Sequence, residues 1–311
     1  MEYAFKDLHW GKEIAVQHYL QPATAQETLD MLSEFDGRAL IVAGGTDVIP
    51  LLRKGDLQAD ALVDITRLPN MNSIEAEGDL ICLGGLVTHG QICSAPLIRE
   101  RAALLTEAAG AIGSPQIRNV ATIAGNLVSG QPAADAALAL LALNARVTIL
   151  SKNGTREVWL KDFFLGQSQT RLDFRREILT QIRFPALKKN QGGCFLRLSP
   201  RKSLALPILA LATVVAIEPE KKIIREAAIS LGPVAPVPFR AMKAEEGLRG
   251  APLTKRTLER AAQDAFDESH PRSSLLRGSM AYRKEMVKVL VCRGLSRAAA
   301  QAGTFVAEEE G

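Results

Sequence analysis

The apolar residues of this chain switch repeatedly between helix-like and strand-like spacing and do not settle into a regular strand–helix–strand alternation. That mixture argues for α+β domains rather than a doubly wound parallel sheet. With 311 residues, 47% of them hydrophobic and 23% charged, the chain is long enough for two or three compact units with a sizeable core.

In chain order, PATAQETLDMLSEF reads as a helix capped by Thr24, with Glu27 completing a capping box and Leu29, Leu32 and Phe35 along one side. RALIVA reads as a short buried strand stopped by Gly44-Gly45, and TDVIPLLRKG as a polar turn followed by a short apolar segment. ALVDIT and LICLGG are further strands. Helix patterns in ICSAPLIRE and ALLTEAAGAI precede RNVATIAGNLVSGQPAAD, residues 118 to 135. That turn-rich stretch runs into the helix PAADAALALLALN, with Pro132 in its first turn and Asp135 near the positive end of the dipole. ARVTILS and TREVWLKDFF form a hairpin about Asn153-Gly154, EILTQIRFP closes the first half, and ALKKNQGG is a candidate linker. In the second half SLALPILALATVVAI and IIREAAISLG suggest a small antiparallel sheet. Two helix patterns end the chain, LTKRTLERAAQDAFDE and AYRKEMVKVLVCRGLSRAAAQ, the latter with Tyr282, Met286, Val289, Leu290 and Arg293 along one side.

Several function classes fall away. The longest apolar run, Ala205 to Ile217, is too short to cross a bilayer and contains Pro207, and the first residues, MEYAFKDLHWGKE, lack a signal pattern. A soluble, cytoplasmic protein is expected. Cys82, Cys93, Cys194 and Cys292 show no CxxC spacing and are expected to be reduced and mostly buried. His9, His18, His89 and His270 show no HExxH or HxH grouping, so no metal is assigned. The half after residue 187 is basic, but its Lys and Arg alternate with Glu and Asp and lack interleaved aromatics. That pattern suits a solvated face or a docking surface for an acidic partner subunit better than nucleic acid.

The chain has neither GxGxxG nor GxxxxGK[ST], so any nucleotide must be held in another way. AGGTD, Ala43 to Asp47, follows a strand and places two glycines in succession, which lets consecutive N–H groups converge on one anion. Each N–H to a charged phosphate oxygen contributes about 1.5 to 3 kcal/mol, so three or four, with the Thr46 hydroxyl, hold a pyrophosphate without a lysine. For AGGTD taken alone, a plain tight turn is the stronger reading. TIAGN, Thr122 to Asn126, repeats the small-residue and hydroxyl pattern, and two such loops could clamp one extended nucleotide. Asp135 suits either ribose or ribityl hydroxyls or simple complementation of the helix dipole.

In order along nearly the whole chain, IVAGGTD, IRNVATIAGN, QPAAD, DFFLG, EILTQI, SLGPVAPVPFRA and YRKEMVKVLVCRGL resemble the FAD-binding medium subunit of the xanthine dehydrogenase and carbon monoxide dehydrogenase family of molybdenum hydroxylases. The resemblance implies a vanillyl-alcohol-oxidase (PCMH) type FAD fold of two subdomains, split near residue 60, within residues 1–187. A C-terminal α+β domain, with a small antiparallel sheet and helices, would follow over residues 188–311. It implies that Ile41, Val42, Ala43, Gly44, Gly45, Thr46, Asp47 and Val48 wrap the pyrophosphate, and that Thr122, Gly125 and Asn126 form a second phosphate and ribityl loop. Asp135 would meet hydroxyls, and Leu179 would lie beside the flavin through its backbone or side chain. Arg197 would lie near the FAD where the family commonly has Lys, Ile112 would contact the flavin where some relatives have an aromatic residue, and Ala124 would belong to the second loop where the family often has Gly. The methyl of Ala124 would crowd the cofactor only if that residue needs a positive φ or touches the ligand.

The implied activity is electron transfer: FAD in this chain takes electrons from [2Fe-2S] clusters on an iron–sulfur subunit and passes them to NAD or another acceptor. Substrate hydroxylation belongs to a separate subunit with the molybdopterin cofactor. No catalytic acid or base is placed by motif. The rivals are a free-standing flavin-dependent reductase or oxidase of the same fold and a scaffold subunit that has lost FAD.

Overall fold

The computed structural model describes residues 16–201, 204–275 and 277–307; the leader MEYAFKDLHWGKE lies outside them. Its first layer is a parallel three-stranded sheet in the order His18–Leu20, Ala61–Asp64, Ala39–Val42. Residues alternate between its faces, as the pleat requires. Ala39, Ala61 and Val63 pack with Leu29 and Leu32 of the helix Ala25–Glu34. Leu40, Val42 and Leu62 pack on the other face with Leu52 of the helix Val48–Lys54. Here the chain does alternate strand and helix, contrary to the reading of the whole sequence. The helix VIPLLRK is too short, with Pro50 inside it, to announce a helical period.

Thr24 caps the first helix as predicted, its Oγ1 accepting from Glu27 N–H at 3.1 Å. The Glu27 carboxylate reaches back to Ala23 N–H at 2.6 Å, one residue before the cap, so the predicted capping box is displaced by one position.

The second layer is an antiparallel sheet in the order Ile74–Glu77, Leu80–Gly84, Ile178–Pro185, Arg146–Ser151, Gly154–Trp159. Ser151 pairs with Gly154, so the turn is Lys152-Asn153 and lies one residue earlier than Asn-Gly predicts. The segment ICSAPLIRE is not one helix. Ala95, preceding Pro96, is held extended at φ −69° and ψ 117°, which separates His89–Ser94 from Pro96–Arg101.

The third layer is the predicted antiparallel sheet, in the order Gln191–Leu198, Leu209–Glu218, Ile223–Gly232, Phe239–Arg240. Gln191, Gly192 and Gly193 of the expected linker therefore belong to a strand. Leu209, Leu211 and Val215 face a core shared with the helices Met242–Leu248, Lys255–Glu268 and Met280–Gln301. Ala210 and Ala212 face the core of the first half, which is why this strand is an unbroken apolar run rather than an alternating one. The last helix buries Arg283, Val287, Leu290, Val291, Leu295 and Ala298. The face predicted through Tyr282, Met286, Val289, Leu290 and Arg293 shares only Leu290 with this one and is otherwise rotated from it, because the sequence offers apolar residues on both flanks of Leu290.

Between the second and third sheets lies the helix Asp135–Ala142, every residue of which is buried. A helix that is apolar all round is one covered on all sides, and ALALLAL has that character. It starts at Asp135 rather than in the Pro132 turn, since Ala134 is extended at φ −75° and ψ 101°. Ser230 Oγ donates to Leu138 O at 2.6 Å and Arg240 Nη1 to Leu141 O at 2.8 Å, so the third layer is bonded directly to this helix.

Candidate functional site

The parallel strands fix where the site begins. Val42 pairs with Asp64 at their carboxyl ends, and the chain leaves the sheet there through Ala43–Asp47 before entering the helix Val48–Lys54. Ile41, Val42, Ala43 and Val48 turn their side chains into the two cores flanking the sheet and can offer only backbone. The N–H groups of Gly44, Gly45, Thr46 and Asp47 donate to no acceptor among the described residues. Gly45 takes φ +67°, the left-handed region that glycine adopts at little cost. Four consecutive unspent amides at a turn, beside the Thr46 hydroxyl, are donors that an anion could engage.

The second wall touches the first. A Cβ on Gly44 would lie 2.0 Å from Val120 O, 2.7 Å from Val120 C and 2.9 Å from Ala121 Cα. From there the chain bridges Thr122 to Thr88 and enters the helix Ile123–Val128, capped by Thr122. TIAGN is therefore a helix start rather than an open loop, and the amides of Ile123 to Asn126 are spent internally. Ile123 N–H goes to Val87 O at 2.8 Å, Ala124 N–H to Gly85 O at 3.3 Å, Gly125 N–H to Thr122 Oγ1 at 3.1 Å and Asn126 N–H to Thr122 O at 3.1 Å. What remains for a ligand is the exposed, side-chain-free surface of Gly125 and the Asn126 amide, whose Oδ1 is buried without a partner. Ala124 has no left-handed φ, so its methyl imposes no backbone strain.

Leu179 is joined to this wall by its main chain. Its carbonyl lies 2.3 Å from where a Cβ on Gly85 would stand, Gly85 N–H donates to Thr180 O at 2.8 Å, and Ala124 Cβ is 3.4 Å from that same Gly85 position. The Leu179 side chain is buried in the core, which leaves its backbone for any ligand. Ile112 packs against the same core at the turn after Ala103–Gly110, its carbonyl accepting from Arg118 Nη1 at 2.9 Å; it stands on the segment that carries Val120 to Gly44.

Asp135 and Arg197 form the third part. Arg197, near the end of the strand Gln191–Leu198, donates from Nε to Asp135 Oδ2 at 3.1 Å and from Nη2 to Ala205 O. The Asp135 side chain is 4% exposed and that of Arg197 12%. Burial pushes the Asp135 carboxyl up to about 6, against the opposing pull of Arg197. Asp135 Oδ1 is buried with no hydrogen-bond partner.

Two groups important to the geometry escaped sequence reasoning. Gly84-Gly85, at the end of the strand LICLGG, repeats the glycine pair at Gly44-Gly45. Thr88 caps its own helix in a full capping box with Gln91 and holds Thr122 in place. His89 is wholly buried with both ring nitrogens unpartnered, and burial pushes it down to about 4, so it is a neutral core residue at neutral pH.

A parallel-strand turn of free amides, pressed against the segment that leads into a capped helix start, is an arrangement suited to an anionic ligand. The description "FAD binding domain in molybdopterin dehydrogenase" matches residues 12–187, and "CO dehydrogenase flavoprotein C-terminal domain" matches residues 195–298. The chain belongs to this family of molybdopterin dehydrogenase FAD-binding proteins. It is 33% identical over 273 residues to the nicotinate dehydrogenase FAD-subunit of Eubacterium barkeri, covering 87% of this chain and 92% of that one. It is 30% identical over 280 residues to the carbon monoxide dehydrogenase medium chain of Hydrogenophaga pseudoflava, covering 90% and 96%. The fold superposes on the solved carbon monoxide dehydrogenase of Hydrogenophaga pseudoflava with a TM-score of 0.87, at 30% identity and covering 92% and 98%. It superposes on quinoline 2-oxidoreductase of Pseudomonas putida 86 with a TM-score of 0.85, at 26% identity and covering 93% and 98%. The architecture is thus the PCMH-type FAD fold with a C-terminal α+β part, as the resemblance implied.

Proposed function

We propose that this chain is the electron-transfer FAD subunit of a cytoplasmic molybdenum hydroxylase complex, taking electrons from [2Fe-2S] clusters on an iron–sulfur subunit and passing them to NAD or another acceptor. The observation that carries the reading is the run of unspent amides at Gly44–Asp47, pressed against Val120 and Ala121. These residues are half-buried or exposed, so their amides are open to an incoming ligand, and a pyrophosphate would engage them with charge-assisted bonds.

The residues fit FAD on three counts: free amides for the pyrophosphate, a side-chain-free surface at Gly125 for close approach, and orphaned acceptors at Asn126 and Asp135 for hydroxyls. When bound, FAD supplies redox chemistry in steps of one or two electrons, which suits a junction between single-electron clusters and a hydride acceptor. Gly44, Gly45, Thr46 and Asp47 would bind the phosphates through N–H groups, with Ile41, Val42, Ala43 and Val48 fixing the turn. Thr122, Ala124, Gly125 and Asn126 would shape the second wall. The Leu179 backbone and Ile112 would border the flavin end, and Asp135, held by Arg197, would accept from hydroxyls. We read residues 1–187, split near residue 60, as the FAD-binding unit and 188–311 as the second unit. The molybdopterin cofactor and the hydroxylation step are assigned to a further subunit. Among the described residues no helix is long and apolar enough to cross a membrane.

To test the transfer role, the FAD-loaded chain is mixed anaerobically with the proposed iron–sulfur partner subunit, previously reduced with dithionite and desalted. The flavin absorbance is expected to bleach on mixing and to return on adding NAD or another acceptor. A chain that reduces its flavin with an organic substrate unaided is a free-standing enzyme and contradicts the proposal.

A further inference from the structure

The pair Asp135–Arg197 spans two parts of the fold, since Asp135 opens the helix between the sheets and Arg197 comes from the third sheet. Two of the three guanidinium nitrogens are committed, Nε to Asp135 Oδ2 and Nη2 to Ala205 O. The geometry is one-sided: Oδ2 is fixed by the arginine while Oδ1, equally buried, has no partner. A buried charged acceptor is not left empty without cost, so Oδ1 marks a place where a donor belongs. Resting on the FAD reading above, we propose that Arg197 is a positioning residue for Asp135. It grips Asp135 through Oδ2 so that Oδ1 alone is presented, as a charged acceptor, to a ribose or ribityl hydroxyl.

The consequence is a pH dependence of cofactor binding. With Arg197 donating to Oδ2, a proton taken up by the carboxyl must sit on Oδ1, which turns the presented acceptor into a donor. Arg197 is the charged group acting on Asp135. The other elements packed on this helix carry their charges elsewhere. Glu107 accepts from Phe195 N–H, and Arg240 lies at the opposite end of the helix with Leu141 O and Glu245. Lys161 and Asp162 are exposed on the short helix beyond Trp159. Glu218 and Arg225, paired with each other, and the exposed Glu226 lie at the far ends of their strands. The helix Ile123–Val128 has no charged residue.

FAD affinity is therefore expected to be full above the Asp135 carboxyl's value of about 6 and to fall as pH drops through it. Removing Arg197 leaves desolvation unopposed and moves that fall to higher pH. Because affinity in the falling limb changes about tenfold per pH unit, Arg197→Met is expected to bind FAD about tenfold more weakly on that limb for each pH unit by which it moves, and to recover in alkali.

The experiment is equilibrium dialysis of FAD against the purified full chain from about pH 5.5 to about pH 9, in the wild type, Arg197→Met, Arg197→Lys and Asp135→Asn, with thermal melts to confirm folding. Arg197→Lys keeps the charge and is expected to restore the wild-type acid limb, while Asp135→Asn is expected to bind weakly with no acid limb. An Arg197→Met chain that loses affinity by the same factor at every pH, or loses none, overturns the proposal. If that variant does not fold, an Asp135→Asn chain that keeps the wild-type acid limb overturns it instead. A wild type that binds no FAD at any pH removes the functional reading as well, which separates the two failures.

Discussion

Gly44→Ala is expected to weaken FAD binding by about 100-fold or more. The added methyl would stand 2.0 Å from Val120 O, 2.7 Å from Val120 C and 2.9 Å from Ala121 Cα. All three are backbone atoms, so no side chain can swing aside, and the two walls must separate. Losing two of the amide–phosphate bonds, at about 1.5 to 3 kcal/mol each, costs about 3 kcal/mol or more, which is the stated factor. Titration of the variant with FAD, beside a thermal melt of the apo chain, checks this. Wild-type affinity in a folded variant would mean that the contact between Gly44 and Val120 does not shape the cofactor site.

The second large effect concerns stability. Glu245 accepts from Arg240 Nε at 2.6 Å, from Arg240 Nη2 at 2.7 Å and from Ile229 N–H at 2.7 Å. The paired side chains are 11% and 9% exposed. Arg240 also donates to Leu141 O at 2.8 Å and Asn144 Oδ1 at 2.9 Å, so this carboxylate braces the arginine that fastens the third sheet to the buried helix. Glu245→Ala strands a buried guanidinium and a buried strand amide, and is expected to cost about 3 to 5 kcal/mol of unfolding free energy. Urea unfolding of the apo chain measures it. A loss below about 1 kcal/mol would place the pair among exposed, weakly contributing ion pairs.

Local chemistry made much of this molecule legible in its sequence. RALIVA stopped by a glycine pair marked both a strand and the turn of unspent amides that follows it. Thr24 and the apolar stripe Leu29, Leu32 marked the first helix for equally local reasons. Long-range packing decided the rest. That TIAGN spends its amides on Val87, Gly85 and Thr122 depends on a neighbouring segment some thirty-five residues earlier, which no local pattern announces. The partnership of Asp135 with Arg197 was hidden for the same reason, since the two are 62 positions apart. The buried face of the last helix was misjudged because its flank residues are apolar on both sides of the true stripe, and only the sheet against it selects one. Gly85 carried a signal that could have been used: a second glycine pair after a strand, beside the segments that AGGTD and TIAGN already marked.

The central claim is that this chain itself holds FAD, and its most direct test is the visible spectrum of the purified chain with identification of the nucleotide released on denaturation. The account predicts flavin absorption and a single FAD per chain, retained through gel filtration or taken up stoichiometrically on addition. A folded, colourless chain that refuses added FAD would contradict it.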